Sequence, residues 1–141
     1  MFSVNDMVFS ILVSILGYIF LWTLGSLLFL TYFRIFTVPS NIDYTEKVRK
    51  IPPFISIATV PLCSILSFYL ATKLLLVVFP ASGNMVILAE TGAIALVFTV
   101  VIDLVVTPLI EKIKISTYPM NLMYLFAWIV IIPSVLLAGI Y

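Results

Sequence analysis

Residues 85–112 read MVILAETGAIALVFTVVIDLVVTPLIEK. The run is longer than the ~20 apolar residues that cross a bilayer as a helix. Until its last two residues, charge interrupts it only at Glu90 and Asp103. Hydrocarbon gives neither acid a hydration shell, so each needs a route to water or a partner inside the protein. Wound at ~100° per residue, Ala89, Gly92, Thr99, Asp103 and Thr107 fall on one side, with Ala95 and Leu96 at its margins. Ile94, Val97, Phe98, Val101 and Val105 fall on the other. Helices in lipid gain nothing by hiding oily side chains from one another, so small and hydroxyl residues mark where backbones approach. The face from Ala89 to Thr107 is therefore expected to point into a helical bundle. Glu90, opposite Asp103, is expected at the periphery.

The flanking sequence repeats this character. Of the 141 residues, 64% are hydrophobic and only 9% charged, where a soluble domain carries about 25%; the mean hydropathy is +1.31. Three more apolar runs lie at about 7–33, 51–79 and 121–141, with the first at 85–110 completing four. None alternates with period two, which argues against a barrel. The expected fold is an all-α integral membrane protein, a single domain built as a four-transmembrane-helix bundle. Pro52 and Pro53 suit the first turn of the second span, Pro61 predicts a kink within it, and Pro133 predicts a bend in the fourth. Pro80-Ala-Ser-Gly-Asn84 reads as a tight turn. Small residues also line the other spans: Ser10, Ser14, Gly17 and Gly25; Ser56, Thr59, Cys63, Ser67 and Ala71; Ala127, Ser134 and Ala138.

Six of the seven basic residues, Arg34, Lys47, Arg49, Lys50, Lys112 and Lys114, fall in the two loops on one side of this bundle. The positive-inside rule makes that side cytoplasmic and both termini extracytoplasmic. The N-terminal stretch before Met7 lacks a positive residue and the apolar run after it is too long for a signal peptide, so the first segment is expected to remain as a span. The bias is too strong for a protein inserting in two opposite orientations. Within the cytoplasmic loop 34–50, Ser40 followed by Asp43 resembles a capping box for a short interfacial helix over Tyr44–Lys50. Glu111, Lys112 and Lys114 read as interfacial anchors, and Tyr32, Phe33, Phe36, Tyr118 and Tyr124 as an inner aromatic belt.

Two constellations merit weighing. Lys73 and Glu90 lie at similar depth near the outer boundary, where they either form an intramembrane ion pair or snorkel separately to the headgroups. Asp103 lies ~20 Å farther in at ~1.5 Å per residue, with no base nearby in sequence. It has three readings: a structural node bonded to hydroxyls of Thr59, Thr99 or Thr107, an ion or proton site using the same residues, or a contact to a partner subunit. Arg34, at the inner end of the first span, is the one base within conceivable reach.

Catalytic chemistry finds little to work with. Histidine is absent, Cys63 is the lone cysteine, and the net charge is +1. These remove the commonest general base, any internal disulfide or Cys-x-x-Cys pair, and a basic face for nucleic acid. No zinc motif, phosphate loop or nucleophile elbow occurs. Neither an enzyme, a cofactor nor a metal site is expected; a membrane enzyme would depend on the loop acids Asp43, Glu46 or Glu111. The expected partners are the lipid bilayer and either further copies of the chain or other membrane subunits. The leading expectation is a multi-pass protein of the cell membrane acting through helix–helix association, as a subunit or accessory factor of a membrane assembly. The alternative is a small oligomeric transporter or channel using Asp103.

Overall fold

The computed structural model describes residues 3–111 and 115–141, without the side chains of residues 110 and 111. The anchoring role expected of Glu111, Lys112 and Lys114 lies outside the described residues. Four helices long and apolar enough to cross a membrane dominate the chain. The first is α1 (Val4–Ile35). A short α2 (Tyr44–Arg49) leads into α3 (Pro53–Val78), and a 3-10 turn at Pro80–Gly83 reverses the chain into α4 (Met85–Val101). A π turn at Ile102–Val106 then leads into α5 (Thr107–Glu111). The fourth span is divided between α6 (Met120–Ile129) and α7 (Ile131–Ile140). No strand occurs among the described residues.

The spans pack in a ring. α1 lies against α3 and α4, α3 also lies against α6 and α7, and α4 closes on α7. The N-terminus and the Pro80–Gly83 turn meet at one end through Asp6 and Ser82, and the start of α4 meets the end of α7 there through Leu88 and Gly139. Both termini therefore sit at the turn end, and α2 sits at the opposite end. Glycines set the closest approaches. A Cβ on Gly17 would overlap the Phe68 ring, one on Gly139 would overlap Leu88, and one on Gly92 would come within 3.1 Å of the Ile132 backbone. Phe9, Val13, Phe68, Leu88, Ala95, Ile131 and Val135 fill the core toward the turn end. At the α2 end Val48 and Ile51 are buried with Phe29, Phe33, Met120 and Met123. A helix of six residues cannot hold itself in water, and α2 is held by this packing.

Several boundaries differ from the sequence reading for identifiable reasons. α1 starts before Met7 because Ser3 and Asp6 form a reciprocal capping box. The N-cap of α2 is Asp43, without a side-chain cap bond, and Ser40 lies in the preceding turn, so the expected box does not form. Pro61 lies within α3, which is assigned as helix without a break. The fourth span is interrupted at Val130, before Pro133, the residue expected to bend it. Pro133 has no N–H to return to the carbonyl of Ile129, and the last carbonyls of α6 are left for other donors. Ser64 of α3 supplies one, its hydroxyl donating to the Ala127 carbonyl at 2.8 Å.

Candidate functional site

The inner face of the third span comprises Leu88, Thr91, Gly92, Ala95, Thr99, Asp103 and Thr107, all buried. Ala89, expected on that face, is exposed. The two ends of the expected face, Ala89 and Thr107, are five turns apart in an ideal helix of ~3.6 residues per turn, so a straight helix aims them alike. They part because the π turn intervenes. It carries an i→i−5 bond from the Thr107 N–H to the Ile102 carbonyl, which widens the turn and reduces the rotation per residue. Asp103 and Thr107 are swung back into the bundle while Ala89 stays outside. Pro108 follows immediately and cannot donate to the Leu104 carbonyl, which favours a widened turn at this point.

Asp103 is 3% exposed and both its oxygens are engaged. The Tyr18 hydroxyl of α1 donates to Oδ1 at 2.6 Å, and the Trp128 indole N–H of α6 donates to Oδ2 at 2.7 Å. One carboxylate thus ties three of the four spans together. Both donors are neutral. Arg34 is exposed, and among the described residues no Lys or Arg lies within ion-pair distance of Asp103. The Tyr18 hydroxyl also lies 3.4 Å from Thr107 Oγ1. Edge-on contact with Phe98 and tilted contact with Trp22 fix the Tyr18 ring, and Tyr124 packs on Trp128.

The hydroxyls named from the sequence divide differently. Thr107 joins the Asp103 group through Tyr18. Thr99 lies one turn away, buried, with no hydrogen-bond partner for its hydroxyl, as is also true of Ser56 and Ser67. Thr59 belongs elsewhere: it donates to the Ile55 carbonyl at 2.6 Å and pairs with the Tyr32 hydroxyl at 3.0 Å, joining α3 to α1 near the α2 end. Lys73 and Glu90 do not pair. Lys73 Nζ stands 5.8 Å from the centre of the Tyr69 ring on its own helix, Glu90 is exposed, and the ion pair found among the described residues is Glu46–Arg49 on α2. Glu90 leaves the bundle as its helical angle implied. No group of three His, Cys, Asp or Glu side chains converges among the described residues.

Beside Asp103 the bundle leaves a cavity of about 60 Å³ between α1, α3 and α6, with Tyr44 of α2 on its wall. Gly25 continues the small-residue stripe of the first span, which packing against a neighbouring helix or the lining of a pocket would each explain. It lines this cavity, and a Cβ there would meet nothing within 4 Å. Cys63 lies on the same wall.

Sequence reasoning missed Tyr18, Trp128 and a second buried acid, Asp6. Tyr18 continues the four-residue spacing Ser10, Ser14, and a Tyr or Trp far from the interfacial belts carries a polar tip that needs a partner. That was the available signal. Asp6 is 6% exposed and fully explained: it caps α1 through Ser3 and accepts from the Ser82 hydroxyl at 2.7 Å, locking the chain reversal onto the first helix. Next to it the hydroxyls of Ser10 and Thr91 meet at 2.7 Å, joining α1 to α4. No family model, no curated protein and no solved structure matches the chain.

Proposed function

We propose that this chain is a small multi-pass protein of the cell membrane that takes a cation into the bundle at Asp103, as a transporter or channel. In this reading α2 and its basic residues face the cytoplasm, both termini lie outside, and the cavity beside Asp103 occupies the inner half of the membrane. One observation carries it: a buried carboxylate, held among the described residues by two neutral donors, borders a half-open cavity between the helices. An acid used purely as a packing node gains nothing from an adjoining void, and an ionised carboxylate without a base in low dielectric favours a positive charge beside it. The small-residue faces support the same view. Gly17, Gly92 and Gly139 are used within the chain against Phe68, Ile132 and Leu88, so these close approaches serve the chain's own bundle.

A second reading, the subunit or accessory factor, is favoured by an apolar groove of about 700 Å³ on the outside of the bundle between α3 and α6, bordered by Phe54, Pro61, Leu62, Phe126 and Ile129. Another copy of the chain or another membrane helix fits such a surface by van der Waals packing. The two readings separate in proteoliposomes carrying an imposed membrane potential. Cation entry above that of empty liposomes, lost in Asp103→Asn protein that still elutes as a single folded species, supports the transport reading. Absence of flux for every monovalent cation tried, together with loss of assembly in Asp103→Asn, supports the subunit reading and removes the first.

A further inference from the structure

The chemistry of the cavity wall narrows the cation. An inorganic ion that sheds its water requires a shell of oxygens, about six to eight for calcium and near-octahedral six for magnesium. Side-chain oxygen on this wall comes from Asp103, Ser26, Tyr44 and Tyr124; the other lining residues are aromatic, aliphatic or sulfur-bearing. These four side chains fall short of such a shell. An ammonium group makes a different demand. It needs one or two acceptors for its N–H groups, tolerates apolar walls around its carbon, and is attracted to the faces of aromatic rings. Four aromatic residues, Trp22, Phe29, Tyr44 and Tyr124, line the wall. A carboxylate has about four acceptor positions, and Tyr18 and Trp128 occupy one on each oxygen of Asp103.

The cavity of about 60 Å³ exceeds the ~10–15 Å³ that one water requires on the same measure, so it has room for ammonium or methylammonium.

We propose that the cavity between α1, α3 and α6 is a binding site for a small primary alkylammonium ion, with its N–H groups on Asp103 and its carbon among the aromatic rings. This rests on the cation reading above and adds the ligand class to it. Asp103 faces the titratable side chain of Tyr18 directly; Cys63, Tyr44 and Tyr124 share the cavity, and no described Lys or Arg enters it.

The chain's two tryptophans report on the site, because Trp22 lines it and Trp128 donates to Asp103. Tryptophan fluorescence of the purified full chain is followed at constant ionic strength during addition of methylammonium, sodium, potassium or tetraethylammonium chloride. The expected result is a saturable change with methylammonium alone. Its midpoint rises at least tenfold in Asp103→Asn and in Gly25→Leu, which places a side chain in the cavity. Gly25→Ala, the smaller insertion, shows a lesser rise and serves where the leucine variant does not fold. An equal response to sodium or potassium, or an unaltered midpoint in folded Gly25 variants, overturns the alkylammonium site while leaving a cation site at Asp103 standing. No response to any of the four salts, in wild type as in Asp103→Asn, overturns both.

Discussion

Gly17 and Gly25 lie on the same helix and present opposite surroundings, so replacing each by alanine isolates the packing of α1 on α3. Either change removes a glycine from a helix interior and is worth about 1 kcal/mol in helix propensity. The new Cβ meets nothing within 4 Å at Gly25, whereas at Gly17 it runs into the Phe68 ring. That ring is fully buried with Phe9, Val13 and Ile131 around it, leaving it little room to give. Overpacking of this kind costs about 1–3 kcal/mol. Propensity is common to both variants, so the difference between them equals the overpacking cost: Gly25→Ala gains about 1 kcal/mol and Gly17→Ala falls about 1–3 kcal/mol below it. The assay is reversible unfolding in mixed micelles with increasing dodecyl sulfate, followed by helicity. Equal stability of the two variants, or a less stable Gly25→Ala, would refute the seating of Phe68 on Gly17 and with it the register of the first two spans.

Two further outcomes concern the loop after α1 and the charged residues Lys73 and Glu90. Thr37 holds φ at 50° just past α1, where Val38 N–H returns to the Phe33 carbonyl and Thr37 N–H to that of Arg34; this is a glycine position occupied by a β-branched residue. Thr37→Gly should therefore raise stability by about 0.5–1 kcal/mol, and a lower unfolding midpoint would contradict the left-handed cap. For Lys73 and Glu90, a double-mutant cycle with Lys73→Gln and Glu90→Gln should return a coupling near zero, since the two side chains do not pair; coupling above about 0.5 kcal/mol would restore the ion pair.

The four apolar runs were legible because length and composition alone decide what can span a bilayer, and both ends of α1 and α3 and the start of α4 lie within a few residues of the reading. The face of the third span was legible only in part. Thr99, Asp103 and Thr107 are inside as expected, but Ala89 is outside, because periodicity assumes a constant 3.6-residue turn and the π turn before Pro108 breaks that assumption. Asp103 stood out as an acid in an apolar run, yet its partners did not. Tyr18 is 85 residues away and Trp128 is 25 away, and which helices adjoin is a property of the ring arrangement rather than of any local pattern. Gly25 shows the same limit. It continues the small stripe of Ser10, Ser14 and Gly17, but it faces a cavity, and spacing cannot distinguish a glycine that admits a neighbour from one that borders a void. The proposed cation site rests on that cavity and on the neutral character of both Asp103 donors.

The proposed site sets a cation against the Asp103 carboxylate between the helices. Infrared difference spectra of the reconstituted protein, recorded with and without ammonium, methylammonium or sodium, observe that carboxylate directly. A carboxylate stretching band is expected to shift when a cation enters and to be missing from the Asp103→Asn spectrum. Identical difference spectra from wild type and Asp103→Asn, with every cation, would contradict it.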